Sequence, residues 1–229
     1  MQERSGRTRR RLLAAAAEVI DKFGYAEATM SDISRYAQVT KGALYFHFAS
    51  KDELAMQVQQ RSRELLTETL NELHGVNGSP LQTLIDLTHA LARWLSDEPA
   101  VRASLRIGQE RSGQEEHVID YHVTCVTAAW SLLRQARAER CLNESVTQEA
   151  AETLVAAVVA GTEAMAWRGT PAIEVADRTA AMWHLVLAVL ATEEARAGLR
   201  TVPPAAWYAA EVAEAAEGVP AHGAPRDEA

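Results

Sequence analysis

Thr29–Leu54 reads T-M-S-D-I-S-R-Y-A-Q-V-T-K-G-A-L-Y-F-H-F-A-S-K-D-E-L, and three helix starts fall within it. Thr29 with Asp32 has the capping-box spacing, which satisfies amides left open at a helix start. Ile33 and Ala37 stand one turn apart on one face, and Val39 follows in the turn. Thr40 caps a second helix in which Leu44 and Phe48 face inward at i, i+4. Ser50 with Glu53 caps a third, longer one. Between the apolar positions the second helix turns Lys41, Gly42, Tyr45 and His47 outward. A short helix with a small N-terminus, a cation, a phenol and an imidazole suits the major groove of double-stranded DNA. The stretch reads as a helix-turn-helix over about residues 31–50.

Charge is segregated in the same direction. Residues 1–51 hold nine Lys/Arg against five Asp/Glu, whereas the whole chain holds 23 against 31, a formal net charge of −8. An acidic chain is a poor polyanion ligand unless its basic charge is gathered at one place. Here Arg7, Arg9, Arg10 and Arg11 precede the core of the first helix, and residues 1–7 read as a basic arm. The expected DNA contacts are Arg10, Arg11, Thr29, Ser31, Thr40, Lys41, Gly42, Ala43, Tyr45, His47 and Lys51. Lys41 is expected to reach guanine acceptors, and Tyr45 and His47 to hold phosphates.

Outward from this segment the chain keeps a helical period and offers no strand signal. At 229 residues, with 12 Gly and 7 Pro, it reads as all-α: a three-helix helix-turn-helix domain (8–68), then a larger effector-binding and dimerisation bundle (69–200). Expected helices are 51–74, 81–95, 99–107, 115–140, about 147–167 and 174–197, with a loop at 108–113. Residues 201–229 read as a weakly helical to disordered tail. No apolar run reaches the roughly 18 residues of a membrane span. The polar, arginine-rich start predicts a cytoplasmic chain without a signal peptide. Cys125 and Cys141 are too few for a disulfide scaffold. His122 and Cys125 at i, i+3 lack a second ligand pair, so no metal and no cofactor is expected. No Ser elbow, catalytic carboxylate frame or nucleotide loop suggests an enzyme.

Leu154–Gly161 contains no charge, and His184 is the one polar residue of 181–191. Helices without a solvent face need cover on every side, and a homodimer with a four-helix seam would provide it. Trp94, Leu105, Trp130, Val158, Thr162, Trp167 and Trp183 are candidates to line a pocket for a small lipophilic effector, Trp130 and Trp183 foremost.

V-T-K-G-A-L-Y-F-H-F-x-x-K-x-x-L (39–54) resembles the DNA-binding segment of the TetR family of transcriptional regulators. R-R-R-L-L-A-A-A-A-E-V-I-D-K-F-G-Y (9–25) is similar to that family's first helix and its stop. L-A-R-W-L-S-D-E-P-A-V-R-A-S-L-R-I (91–107) and A-M-W-H-L (181–185) resemble the γ-butyrolactone-receptor branch, whose members control antibiotic production. The resemblance implies a dimeric repressor that leaves a pseudo-palindromic operator when an effector fills its body. Butyrolactone receptors carry a tryptophan early in the helix corresponding to 115–140, where this chain has Thr124, with Trp130 further along. That departure leaves room for an orphan regulator that senses an antibiotic, a precursor or nothing. An enzyme or helical adaptor is the remaining alternative.

Overall fold

The computed structural model describes residues 2–111 and 120–207. Ten α-helices follow one another among them: α1 Gln2–Phe23, α2 Met30–Tyr36, α3 Lys41–His47, α4 Lys51–Val76, α5 Pro80–Asp97, α6 Pro99–Arg111, α7 Tyr121–Ala138, α8 Gln148–Trp167, α9 Ala172–Leu190 and α10 Glu193–Ala197. A 3₁₀ turn at Ala205–Trp207 comes last. The one β-bridge among these residues joins Leu142 to Ala191, so the fold is all-α, as the sequence pattern requires.

The three caps form as expected. Thr29 Oγ1 accepts from the Asp32 amide, Thr40 Oγ1 from Ala43, and Ser50 Oγ from Glu53. Glu53 reaches back to the Ala49 amide at 2.7 Å. Gln38 occupies the turn between α2 and α3 at φ +54, the left-handed region in which a chain leaves one helix and re-aims for the next.

Two cores result. Leu12, Ile20, Ile33, Leu44, Phe48, Leu54 and Val58 form the first, together with Ala103 and Ile107 from α6. The second gathers Leu66, Leu84, Leu91, Trp94, Leu105, Leu132, Val158 and Trp183. The two cores meet along α4, whose Val58 belongs to the first and Leu66 to the second.

Several expected elements differ, each for a visible reason. From Gln2 the supposed basic arm is already helix, the first turns of α1. Residues 108–111, expected as loop, continue α6, because Glu110 and Arg111 reach back onto the first core from its last turn. The helix expected over 174–197 stops at Leu190. Ala191 turns extended against Leu142, Thr192 N–H donates to Cys141 O at 3.0 Å, and Thr192 caps α10. The start expected at 115 and the tail beyond 207 lie outside the described residues. Before them the chain is anchored: Arg200 holds Asp86 through both carboxylate oxygens at 3.0 and 2.9 Å.

Within the chain, α5 is buried on all sides. From Pro80 to Leu95 every residue but Arg93 is buried. Val158, expected at a seam, faces its own chain's core at 3% exposure.

Gly24, at φ +84, ends α1 where a Cβ would stand 2.5 Å from Glu110 Oε1. Gly24→Ala is expected to cost about 1–2 kcal/mol from the backbone alone and to displace Glu110. Chemical denaturation checks this, and an unchanged midpoint contradicts it.

Candidate DNA-binding interface and effector site

α3 has two unlike sides. Leu44 and Phe48 are 0% and 1% exposed and fix it on the first core. At about 100° per residue, Gly42 and Phe46 point away from Leu44, flanked by exposed Lys41 and Tyr45. None of the described residues comes within 4 Å of a Cβ placed on Gly42. Phe46 was not among the expected contacts, although its position two residues from Leu44 and four from Gly42 marked it. His47 is half-buried, its ring edge-on to Phe46 at 5.2 Å between centroids.

The other expected contacts separate into outward and engaged groups. Arg10, Ser31, Thr29 and Thr40 are exposed, the two threonines also serving as caps, and Ala43 is half-buried. Arg11 donates to Ala37 O at 2.6 Å, tying α1 to the end of α2. Lys51 donates to the carbonyls of Tyr25 and Ala26 at 2.8 and 3.1 Å, with its ammonium over the Tyr25 ring. Lys51 thus holds the α1–α2 loop in place, a use that the spacing did not reveal.

α6 clasps this domain along its length. Arg102 Nε bonds Asp21 at 2.8 Å with both side chains three-quarters buried or more. Glu110 Oε2 accepts the Ala26 amide at 2.8 Å. Arg111 bonds Asp52 at 2.7 Å and stacks on Tyr25, whose hydroxyl donates to Asp52. The Tyr25 hydrogen bond, with Arg111 beside it, holds the Asp52 carboxyl below the usual range. On the other side Ser62 of α4 donates to Ala100 O at 2.9 Å, meets Ser104 Oγ at 2.8 Å, and receives the Tyr121 hydroxyl on its carbonyl at 3.3 Å. Helices α4, α6 and α7 therefore share one small polar hub in an otherwise apolar junction.

In the body, Trp94, Leu105, Val158 and Trp183 share one core, with Trp130 packed at its margin. Trp183 Nε1 donates to Thr88 Oγ1 at 2.7 Å, and Trp130 Nε1 to Glu152 O at 3.0 Å. Thr162 is buried between α8 and α9, bonded to Val158 O and Thr179. The Trp94 indole N–H, in a side chain 2% exposed, has no partner among the described residues. Arg106 Nε and Glu163 Oε1 are likewise buried without a partner there, and Arg106 stacks on the half-exposed Trp167 at 4.9 Å. His122 bonds Glu163 at 2.7 Å, which raises its pKa, whereas burial pushes the Cys125 thiol up. The i, i+3 pair is thus divided between a carboxylate and the core. Among the described residues no three His, Cys, Asp or Glu gather as a metal site, and no helix is long and apolar enough to cross a membrane. A cleft of about 430 Å³ lies elsewhere, where Arg9, Leu13, Ala17, Val58, Pro99 and Ala100 meet.

Residues 12–58 match the family model described as bacterial regulatory proteins, tetR family. The A-factor receptor protein of Streptomyces griseus is 41% identical over 109 residues, which are 48% of this chain and 37% of that protein. The chain spans less than half the length of the curated relatives it matches. Among solved structures, the TetR family protein CprB from S. coelicolor A3(2) is 31% identical with a TM-score of 0.71, covering 85% of this chain and 93% of that one. The chain belongs to the TetR family. A γ-butyrolactone receptor described as ArpA-like is similar at 27% identity and a TM-score of 0.72, again over 85% and 93%. The resemblance seen in residues 9–54 and 91–107 is thereby borne out for the TetR family and for its receptor relatives.

Within this TetR fold, Gly42 is the barest point of α3. A helical glycine is less stable than alanine by about 0.5–1 kcal/mol, and no described residue comes close enough to require it here. Gly42→Ala is expected to raise unfolding free energy by about that amount while weakening binding to duplex DNA. Urea denaturation and a DNA titration measure the two effects. A destabilised variant, or one with undiminished DNA affinity, contradicts the reading of Gly42 as a point of close approach.

Proposed function

We propose that the chain is a dimeric repressor that reads a pseudo-palindromic operator through α3 and is released by a small lipophilic effector in the α5–α9 body. The observation that carries the DNA part is the outward face of α3, with open Gly42, exposed Phe46 and Tyr45 and the Lys41 cation, opposite a fully buried Leu44. CprB, 30% identical over 85% of this chain, was solved in complex with its biological operator sequence, which supports operator binding by this chain. Lys41, Tyr45, Ser31, Thr29, Thr40 and Arg10 remain the proposed contacts, with Arg11 and Lys51 supporting the domain from within.

Exposed apolar residues on α8 and α9 support dimerisation. Leu185 and Val189, one turn apart on α9, are 70% and 57% exposed, and Leu154 on α8 is 36% exposed, apolar surface that a second copy could cover. A twofold there would present two α3 helices to half-sites about one DNA turn apart.

The unpartnered Trp94 N–H supports an effector bearing a hydrogen-bond acceptor. The names of the receptor relatives favour a butyrolactone-like signal or an antibiotic-related molecule, and hence control of secondary metabolism. Release then follows from linkage: an effector that prefers a displaced α6 moves Asp21, Ala26 and Asp52 with it and changes the spacing of the two α3 helices. A second reading, a regulator without an effector, is favoured by the internal partners of Trp130, Thr162 and Trp183.

Leu185→Arg tests the central assembly. Wild type is expected to sediment as a dimer and to lose DNA affinity by orders of magnitude between about 50 and 200 mM salt. The variant should be a folded monomer that fails on the palindrome. A monomeric wild type, or a variant that binds equally well, overturns the proposed seam. Adding small-metabolite extracts to the same binding assay separates the two effector readings.

A further inference from the structure

We propose that Phe46 reads the 5-methyl group of a thymine in the major groove, an element of base specificity that rests on the DNA-binding reading above. Phe46 is 82% exposed, the most exposed aromatic side chain among the described residues. It stands one turn after Gly42, on the side of α3 turned away from Leu44. The His47 ring supports one edge of it at 82° between planes. Exposing a phenyl group to water is unfavourable, and at this position no described side chain of the protein covers it.

Its chemistry narrows what can cover it. A phenyl ring neither donates nor accepts a hydrogen bond, so it recognises neither phosphates nor the polar base edges. The major groove offers one apolar feature, the thymine methyl, and apolar side chains read thymine by contact with it. The neighbourhood favours DNA over an apolar protein partner. Lys41 opens the same helix, and residues 1–51 carry nine Lys/Arg against five Asp/Glu. The open space at Gly42 lets the α3 backbone approach the base edges closely enough for a ring one turn later to touch a methyl.

The test begins with duplexes enriched by the full chain from a random pool. In the enriched duplex each thymine is replaced in turn by deoxyuridine, which removes the methyl and leaves every hydrogen-bonding group in place. Wild type is expected to weaken by roughly fourfold at one position per half-site, the worth of one buried methyl group. Phe46→Ala should bind the thymine duplex more weakly and be indifferent to deoxyuridine at that position alone. Phe46→Leu should retain part of the sensitivity. A wild type indifferent to deoxyuridine everywhere, or Phe46→Ala with full sensitivity, overturns the assignment while leaving DNA binding intact. Failure to enrich any duplex overturns the DNA-binding reading and this assignment with it.

Discussion

The fold depends on one 13-residue helix belonging to two cores at once. Residues two apart on a helix point to nearly opposite sides. α6 uses this: Ala103 and Ile107 enter the N-terminal core, while Val101 and Leu105 enter the body. Its polar side chains extend the arrangement. Arg102, Glu110 and Arg111 grip Asp21, Ala26 and Asp52, and Ser104 meets Ser62 of α4. A displacement of α6 in the body therefore cannot leave the DNA-binding domain where it was, since its apolar and charged contacts are carried on one rigid rod.

The body supplies the rigidity against which such a displacement is measured. α5 runs through its middle with Gln82, Thr83, Asp86, Thr88 and His89 buried among apolar neighbours. Buried polar groups are tolerated only with partners, and most have them in segments distant in sequence. Asp86 accepts from Asn77, from Gln82 and, on both carboxylate oxygens, from Arg200 Nη2. Gln82 also bonds both the N–H and the carbonyl of Arg200, and His89 Nε2 lies 2.7 Å from Thr201 O. Burial pushes the His89 pKa down, which keeps the imidazole neutral against that segment. The stretch after α10 is thereby fixed across α5.

Local signals carried the N-terminal domain. Its caps, turn and inward positions are all set within 26 residues, so Thr29, Thr40, Ser50, Leu44 and Phe48 were legible from spacing alone. What escaped was whatever depended on partners far along the chain. Lys51 read simply as a DNA contact, since nothing nearby announced the Tyr25 and Ala26 carbonyls that it also holds. Gly108 read as a helix end because the clasp by Glu110 and Arg111 spans more than 50 residues. α5 read only as one more helix over 81–95, and its full burial escaped because its polar residues are matched by Thr201, Arg200 and Trp183. The charge-free stretch around Val158 suggested cover on every side; within the chain Val158 faces its own core, and Leu185 and Val189 are left open. Trp130 and Trp183 were ranked foremost from the sequence, but an indole's hydrogen-bond partner is a tertiary fact, and it distinguishes Trp94 from both.

The shared role of α6 is open to a direct measurement that needs neither operator nor effector. Ile107→Ala removes a side chain buried in the N-terminal core, at a cost of about 2–5 kcal/mol. Native-state hydrogen exchange then compares the amides of α1 with those of α5. If α6 joins the two cores into one cooperative unit, protection in both helices should fall by comparable amounts. Loss confined to α1, with α5 as protected as in the wild type, would show two independent units and contradict the coupling on which the proposed switch rests.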